Sequence, residues 1–318
     1  MEDRRISPLN RPNPDILRAH CQYFSRLGWA MFAQMMAMLV VQVVAAVPVA
    51  LLAPQLLSDS VFLWVLSVFS VYGVGFPLFC LVIQAVPPPP RPEARPLGPA
   101  RFFQCYVICL CAMYLANYLT LALTGLIGLL RGEAVTNPVD QISAYPTVLN
   151  LLLGCVIAPV TEELMFRKLL LYRLRPYGDR FALLTSALCF GLFHGNLNQL
   201  FYAFAIGLVL GYIALCTGRI RQNILLHAMI NFISVGLIPL LEPLGESGTM
   251  LLAALVLGAI ILGIVFFIAL RRELRFAPGT VSLSTGWKWR VFFENPGVIC
   301  FCLLSLGLCV SYLLPTAP

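Results

Sequence analysis

The sequence predicts an all-α fold: a polytopic bundle of transmembrane helices with about nine spans, eight at the lower count, and a cytoplasmic N-terminus. Three observations predict it. Of the 318 residues, 60% are hydrophobic and only 11% charged, against about 25% charged in ordinary soluble domains. The apolar runs approach or exceed the ~20 residues a helix needs to cross a bilayer, and the short alternating segments of a membrane β-barrel are absent. Loop charge also alternates along the chain, as the positive-inside rule requires of a multi-pass protein.

The runs are, in order, Leu27–Leu52, Val61–Val86, Phe102–Leu130, Thr147–Leu171, Phe181–His194, Leu197–Cys216, Ile224–Leu241, Met250–Leu270 and Gly297–Leu314. The first run is too long for the h-region of a signal peptide and reads as a spanning helix. Ahead of it, residues 1–26 form a basic segment expected in the cytoplasm, with Arg4, Arg5, Arg11, Arg18 and Arg26; Asp15–Arg26 fits a short interfacial helix. Residues 27–130 hold three helices outside the polar motifs described below. The connector 87–99 (PPPPRPEARPLGP in large part) reads as a stiff, extended cytoplasmic linker. Basic residues return at Lys168, Arg173, Arg175 and Arg180, at Arg219 and Arg221, and at Arg271, Arg272, Arg275, Lys288 and Arg290. The intervening loops carry Asp59, Glu133, Asp140, Glu242 and Glu246, with Arg131 the main exception. Two further helices fill residues 250–318.

The net charge of +7 sits between apolar runs and is not interleaved with aromatics, so nucleic acid is not an expected partner; the lipid bilayer is. Ten of the eleven cysteines lie in or at the ends of apolar segments and no CxxC pair occurs. They read as free thiols acting as small hydrophobes.

Charge within these helices is costly and usually functional. In the run that contains TEELMFR, Glu163 and Arg167 are four residues apart, in the order that favours a helical ion pair. Glu162 points about 100° away and has Phe166 at plus four, so it is the freer carboxylate, suited to general acid–base work. By itself this cluster also fits a structural ion pair at a helix end. His194 closes the fifth run, four residues after Phe190. A lone histidine there also fits an interface hydrogen bond. His227 and Asn231 share one helix face, and alone could bridge two helices, a bond worth about 0.6–2 kcal/mol. Together, Glu, His, His and Asn from three helices are the parts of a water-activating site. Two arrangements fit. The imidazoles, with or without a carboxylate, bind zinc and acidify a water; or a carboxylate and one histidine activate water directly while Asn231 and the second histidine stabilise an oxyanion.

At these residues the chain resembles the CPBP (Abi, type II CAAX prenyl endopeptidase-like) family of intramembrane proteases. The family's EExxxR reads as Glu162, Glu163 and Arg167, its FxxxH as Phe190 and His194, and its HxxxN as His227 and Asn231, in order within about seventy residues. The resemblance covers residues 147–241. It implies an intramembrane endopeptidase in which Glu162 activates water beside His194, His227 and Asn231 bind the oxyanion or His227 joins His194 on a metal, and Glu163, Arg167 and Phe190 support the site. Zinc and a metal-free route are both compatible with it. The implied substrate is a peptide or membrane-anchored protein, and the implied setting a prokaryotic plasma membrane. The alternative is a non-catalytic immunity or scaffold protein that binds a peptide or partner. A proton-relay transporter is a third reading, lowered by the lack of an evident inverted repeat.

Overall fold

Each apolar run coincides with a helix in the computed structural model, which describes residues 12–90, 93–135, 137–138 and 145–314; no strand occurs among them. Arg4, Arg5, Arg11, Arg91 and Asp140 lie outside the described residues. The long apolar helices make this an integral, multi-pass membrane protein.

Helix α1 (Pro14–Leu52) opens with Asn13, whose side chain accepts the Asp15 amide. It continues without a break through residues 15–26, so no separate interfacial helix precedes the first span. At 1.5 Å per residue it is about 58 Å long, well beyond the ~30 Å hydrocarbon core. Helix α2 (Ser60–Ile83) starts at an Asp59 cap and contains a π-helical segment at Phe69–Gly75. Helices α3 (Pro99–Arg131), α4 (Thr147–Tyr177), α5 (Asp179–Phe193) and α6 (Leu197–Thr217) follow. Helix α7 runs from Arg221 to Phe232 and is carried on by a π-helical turn, Ile233–Leu237, and a short helix, Ile238–Leu241. Helices α8 (Gly245–Leu270), α9 (Thr285–Phe293) and α10 (Pro296–Ser311) complete the chain.

Six helical stretches among the described residues are long and apolar enough to cross a membrane, and seven if α9 and α10, bent by 71°, form one span. The difference from nine apolar runs has identifiable causes. Helix α5 has 15 residues, about 22 Å, and falls short of a bilayer crossing. Two runs lie in the single helical stretch Arg221–Glu273, although the chain turns within it at Gly245, where φ is +55°. Nine crossings and a cytoplasmic N-terminus remain the expectation drawn from loop charge.

The core lies where α1, α4, α5 and α9 meet. Phe24 and Phe181 touch each other there, and each touches the rings of Tyr177 and Phe292. Helices α5 and α6 pack along their length, α6 rests on α3, and α3 on α8. The proline-rich connector is pinned across helix ends: the Arg95 amide donates to the Thr217 carbonyl at 2.7 Å, and Leu97 exchanges two 2.9 Å hydrogen bonds with the Gln222 amide group. All eleven cysteines are free.

Candidate active site

Helix α4 is not a regular α-helix, and its irregularity places the polar groups. A π-helical turn at Leu153–Ile157 sends the Ala158 amide to the Leu153 carbonyl. Pro159 has no N–H. The Gly154 carbonyl is therefore left without either its α or its π donor, and it accepts Asn231 Nδ2 from α7 at 2.8 Å. Glu162 and Glu163 follow in a short α segment, and a second π-helical segment, Leu164–Leu171, carries Arg167. Such π turns recur at functional sites.

Glu163 and Arg167 are fully enclosed, at 0% and 1% side-chain exposure, with Arg167 Nε 3.3 Å from Glu163 Oε2. The contact is an ion pair by distance, but none of the Arg167 N–H groups is aligned for a hydrogen bond. The guanidinium carbon also stands 4.3 Å from the centre of the Phe190 ring, a cation–π contact that helps to offset its burial. Phe190 thus supports the ion pair directly.

Glu163 does more than pair with Arg167. His227 Nδ1 lies 3.0 Å from Glu163 Oε1. Asn223 Nδ2 donates to Glu163 Oε2 at 3.3 Å and to the Leu210 carbonyl at 2.6 Å. A carboxylate held by three partners fixes the imidazole plane, and the Nδ1 proton belongs on this hydrogen bond. The opposite nitrogen, His227 Nε2, faces Glu162 Oε2 at 3.8 Å. The adjacent carboxylates are therefore divided in task by geometry: Glu163 orients the histidine, and Glu162, with an 11% exposed side chain, fronts it.

His194 comes from the end of α5. Its Nδ1 is 2.8 Å from the Phe190 carbonyl one turn back, which leaves Nε2 free to accept. Beyond it the chain turns at Gly195, where φ is +62°, and Asn196 caps α6 through the Gln199 amide. The Phe190 ring is edge-on to both imidazoles, with centroids 5.0 Å from His194 and 5.9 Å from His227. The structure thus gathers Glu162, Glu163, Arg167, Phe190, His194 and His227 into one cluster, with Asn231 one helical turn beyond His227.

Two contributors went unforeseen. Tyr72, from α2 and outside the motif-bearing residues 147–241, has its hydroxyl 3.5 Å from Glu162 Oε1. No sequence signal points to it, since the contact exists only through packing of α2 on α4. Asn223 did leave a signal: Asn223, His227 and Asn231 form an i, i+4, i+8 row on one helix face.

A structural fit to zinc needs three or four protein ligands. Among the described residues no group of three His, Cys, Asp or Glu side chains is placed to hold a metal ion. His194 and His227 each have Nδ1 on an oxygen, as metal-binding histidines commonly do, and could offer only Nε2. Two such nitrogens without a third placed ligand do not make up a three-ligand zinc site.

Residues 144–233 match the family model described as type II CAAX prenyl endopeptidase Rce1-like. That range contains all three motifs and every clustered residue except Tyr72. Residues 144–233 are thus similar to this family, over less than a third of the chain. Among curated proteins it is similar to the "Putative membrane peptidase YdiL" of Bacillus subtilis (strain 168), 32% identical over 93 residues, which is 29% of this chain and 37% of that protein. The match thus spans little more than a third of the relative's length. No solved structure matches the chain.

Proposed function

We propose that the chain is an intramembrane endopeptidase that hydrolyses a peptide bond of a membrane-associated protein or peptide with water activated by Glu162. The observation that carries this reading is the placement of His227 between two carboxylates of unequal freedom. One of them is wholly enclosed and bound to three partners; the other is partly exposed, with the Tyr72 hydroxyl at 3.5 Å and His227 Nε2 at 3.8 Å.

In this mechanism a water molecule beside Glu162 gives one proton to the carboxylate, and His194 Nε2 holds the water by accepting its other hydrogen. The hydroxide oxygen attacks the carbonyl carbon, whose π electrons move onto the carbonyl oxygen. His227, when protonated at Nε2, and the second N–H of the Asn231 amide donate to this oxyanion, an effect worth about 2.7–4 kcal/mol per donor in well-formed holes. Collapse of the intermediate breaks the C–N bond, and the proton held by Glu162 passes to the departing nitrogen. Glu163 and Arg167 take no proton; they hold His227 in register.

The reading is tested by incubating the purified chain, in proteoliposomes, with a proteome-derived peptide library in heavy-oxygen water. New C-termini carrying solvent oxygen are expected. An active-site-folded protein that generates no new termini from any peptide overturns the peptidase reading.

A further inference from the structure

A cavity of about 380 Å³ opens between α3, α5, α6 and α8, away from the glutamate–histidine cluster. Its size is within the range of small-molecule sites. Most of its wall is apolar, with Cys105, Ile108, Leu208, Val209 and Phe267 among the lining residues. Tyr212 also lines the wall; the charged lining residues are Arg101, near the start of α3, and Arg271 and Glu273, which follow α8. These positions are where long apolar helices give way to charge, so that end of the cavity lies at a membrane–water boundary. Arg101 and Glu273 neutralise each other at 2.9 Å. Arg271 is exposed and has no ion-pair partner among the described residues. Arg272 and Arg275, also exposed, stand close by in sequence. The mouth is therefore net positive, and the interior wall is mostly apolar.

We propose that this cavity binds one membrane lipid with an anionic headgroup, an acyl chain lying along Cys105, Ile108, Val209 and Phe267 and the phosphate meeting Arg271. The lining argues for a lipid rather than a soluble anion: its charged residues stand at helix ends, and most of the remaining wall is apolar. Basic pockets between membrane helices recognise such headgroups. The site is independent of the peptidase reading.

The test is native mass spectrometry of the full chain, delipidated in detergent and offered phosphatidylglycerol and phosphatidylcholine of identical acyl chains in equal amounts. One phosphatidylglycerol should be retained per chain, with about a fivefold preference for each basic residue engaged. Arg271→Ala should bring the preference close to unity, Arg271→Lys should preserve most of it, and Val209→Phe, which occupies the cavity, should lower retention of both lipids. Arg101→Ala is the less informative variant because it also breaks the pair to Glu273. Equal retention of the two lipids by the unaltered protein, an undiminished preference in Arg271→Ala, or displacement of the lipid by inorganic phosphate alone would each overturn the proposal.

Discussion

Asn231 donates its side-chain amide to the carbonyl of Gly154 at 2.8 Å, and it can do so because Pro159 denies that carbonyl a helical donor. The proline is thus a component of the site. Replacing it should be felt at Asn231.

Pro159→Ala restores an N–H that can donate back into the Leu153–Ile157 turn. The stability of the variant should equal or exceed that of the parent, because proline is the poorest residue in a helix interior, by about 3 kcal/mol relative to alanine. Its cleavage rate should nevertheless fall, by ~10–100-fold, as Asn231 loses its anchor. Thermal unfolding and kcat measured on the same preparation check this; a stable variant with unaltered kcat would separate Asn231 from the chemistry.

The Glu163–Arg167 pair should be strongly coupled. Breaking a buried ion pair from one side costs about 3–5 kcal/mol, so Glu163→Gln and Arg167→Met should each lower the unfolding temperature markedly. The double variant should recover part of that stability, because it leaves no buried charge unpaired. It should not recover activity, since His227 has lost the carboxylate that orients it. Additive losses in the double-mutant cycle would show that the two residues act independently.

The motif residues were legible because helical spacing is a local property. The i, i+4 relations Glu163–Arg167, Phe190–His194 and His227–Asn231 follow from sequence alone, and all-helical membrane architecture follows from the apolar runs. Across-helix relations were not. Glu163 read as the partner of Arg167, but its link to His227 depends on how α4 and α7 are set against each other. Tyr72 was invisible for the same reason, since it stands 90 residues from Glu162 in sequence. The division of the two adjacent carboxylates was partly legible, since Glu162 has no basic residue at plus four. The count of membrane crossings was not fixed, because apolar composition marks helices without saying where a continuous helical stretch turns.

Tyr72 donates at 3.5 Å to the carboxylate assigned the proton transfer. Loss of one such hydrogen bond is worth about 0.5–1.5 kcal/mol. Tyr72→Phe should therefore reduce kcat by roughly two- to twelvefold with little change in KM. A drop of several orders of magnitude would instead make Tyr72 a direct participant.

Chelation offers a separate test of the donor set. With no three-ligand group among the described residues, peptide cleavage should survive EDTA and 1,10-phenanthroline at full rate. Loss of activity on chelation, restored by added zinc, would require a rearranged site.

The central claim is that Glu162 takes the proton from the attacking water. The most direct measurement is the single-turnover cleavage rate of Glu162→Gln in proteoliposomes, against the parent and Glu163→Gln, with helical content verified for each. A positioned general base contributes ~10²–10⁴-fold, so Glu162→Gln should lose at least that much while remaining as stable as the parent. Cleavage by a folded Glu162→Gln variant at the parent rate would contradict the account.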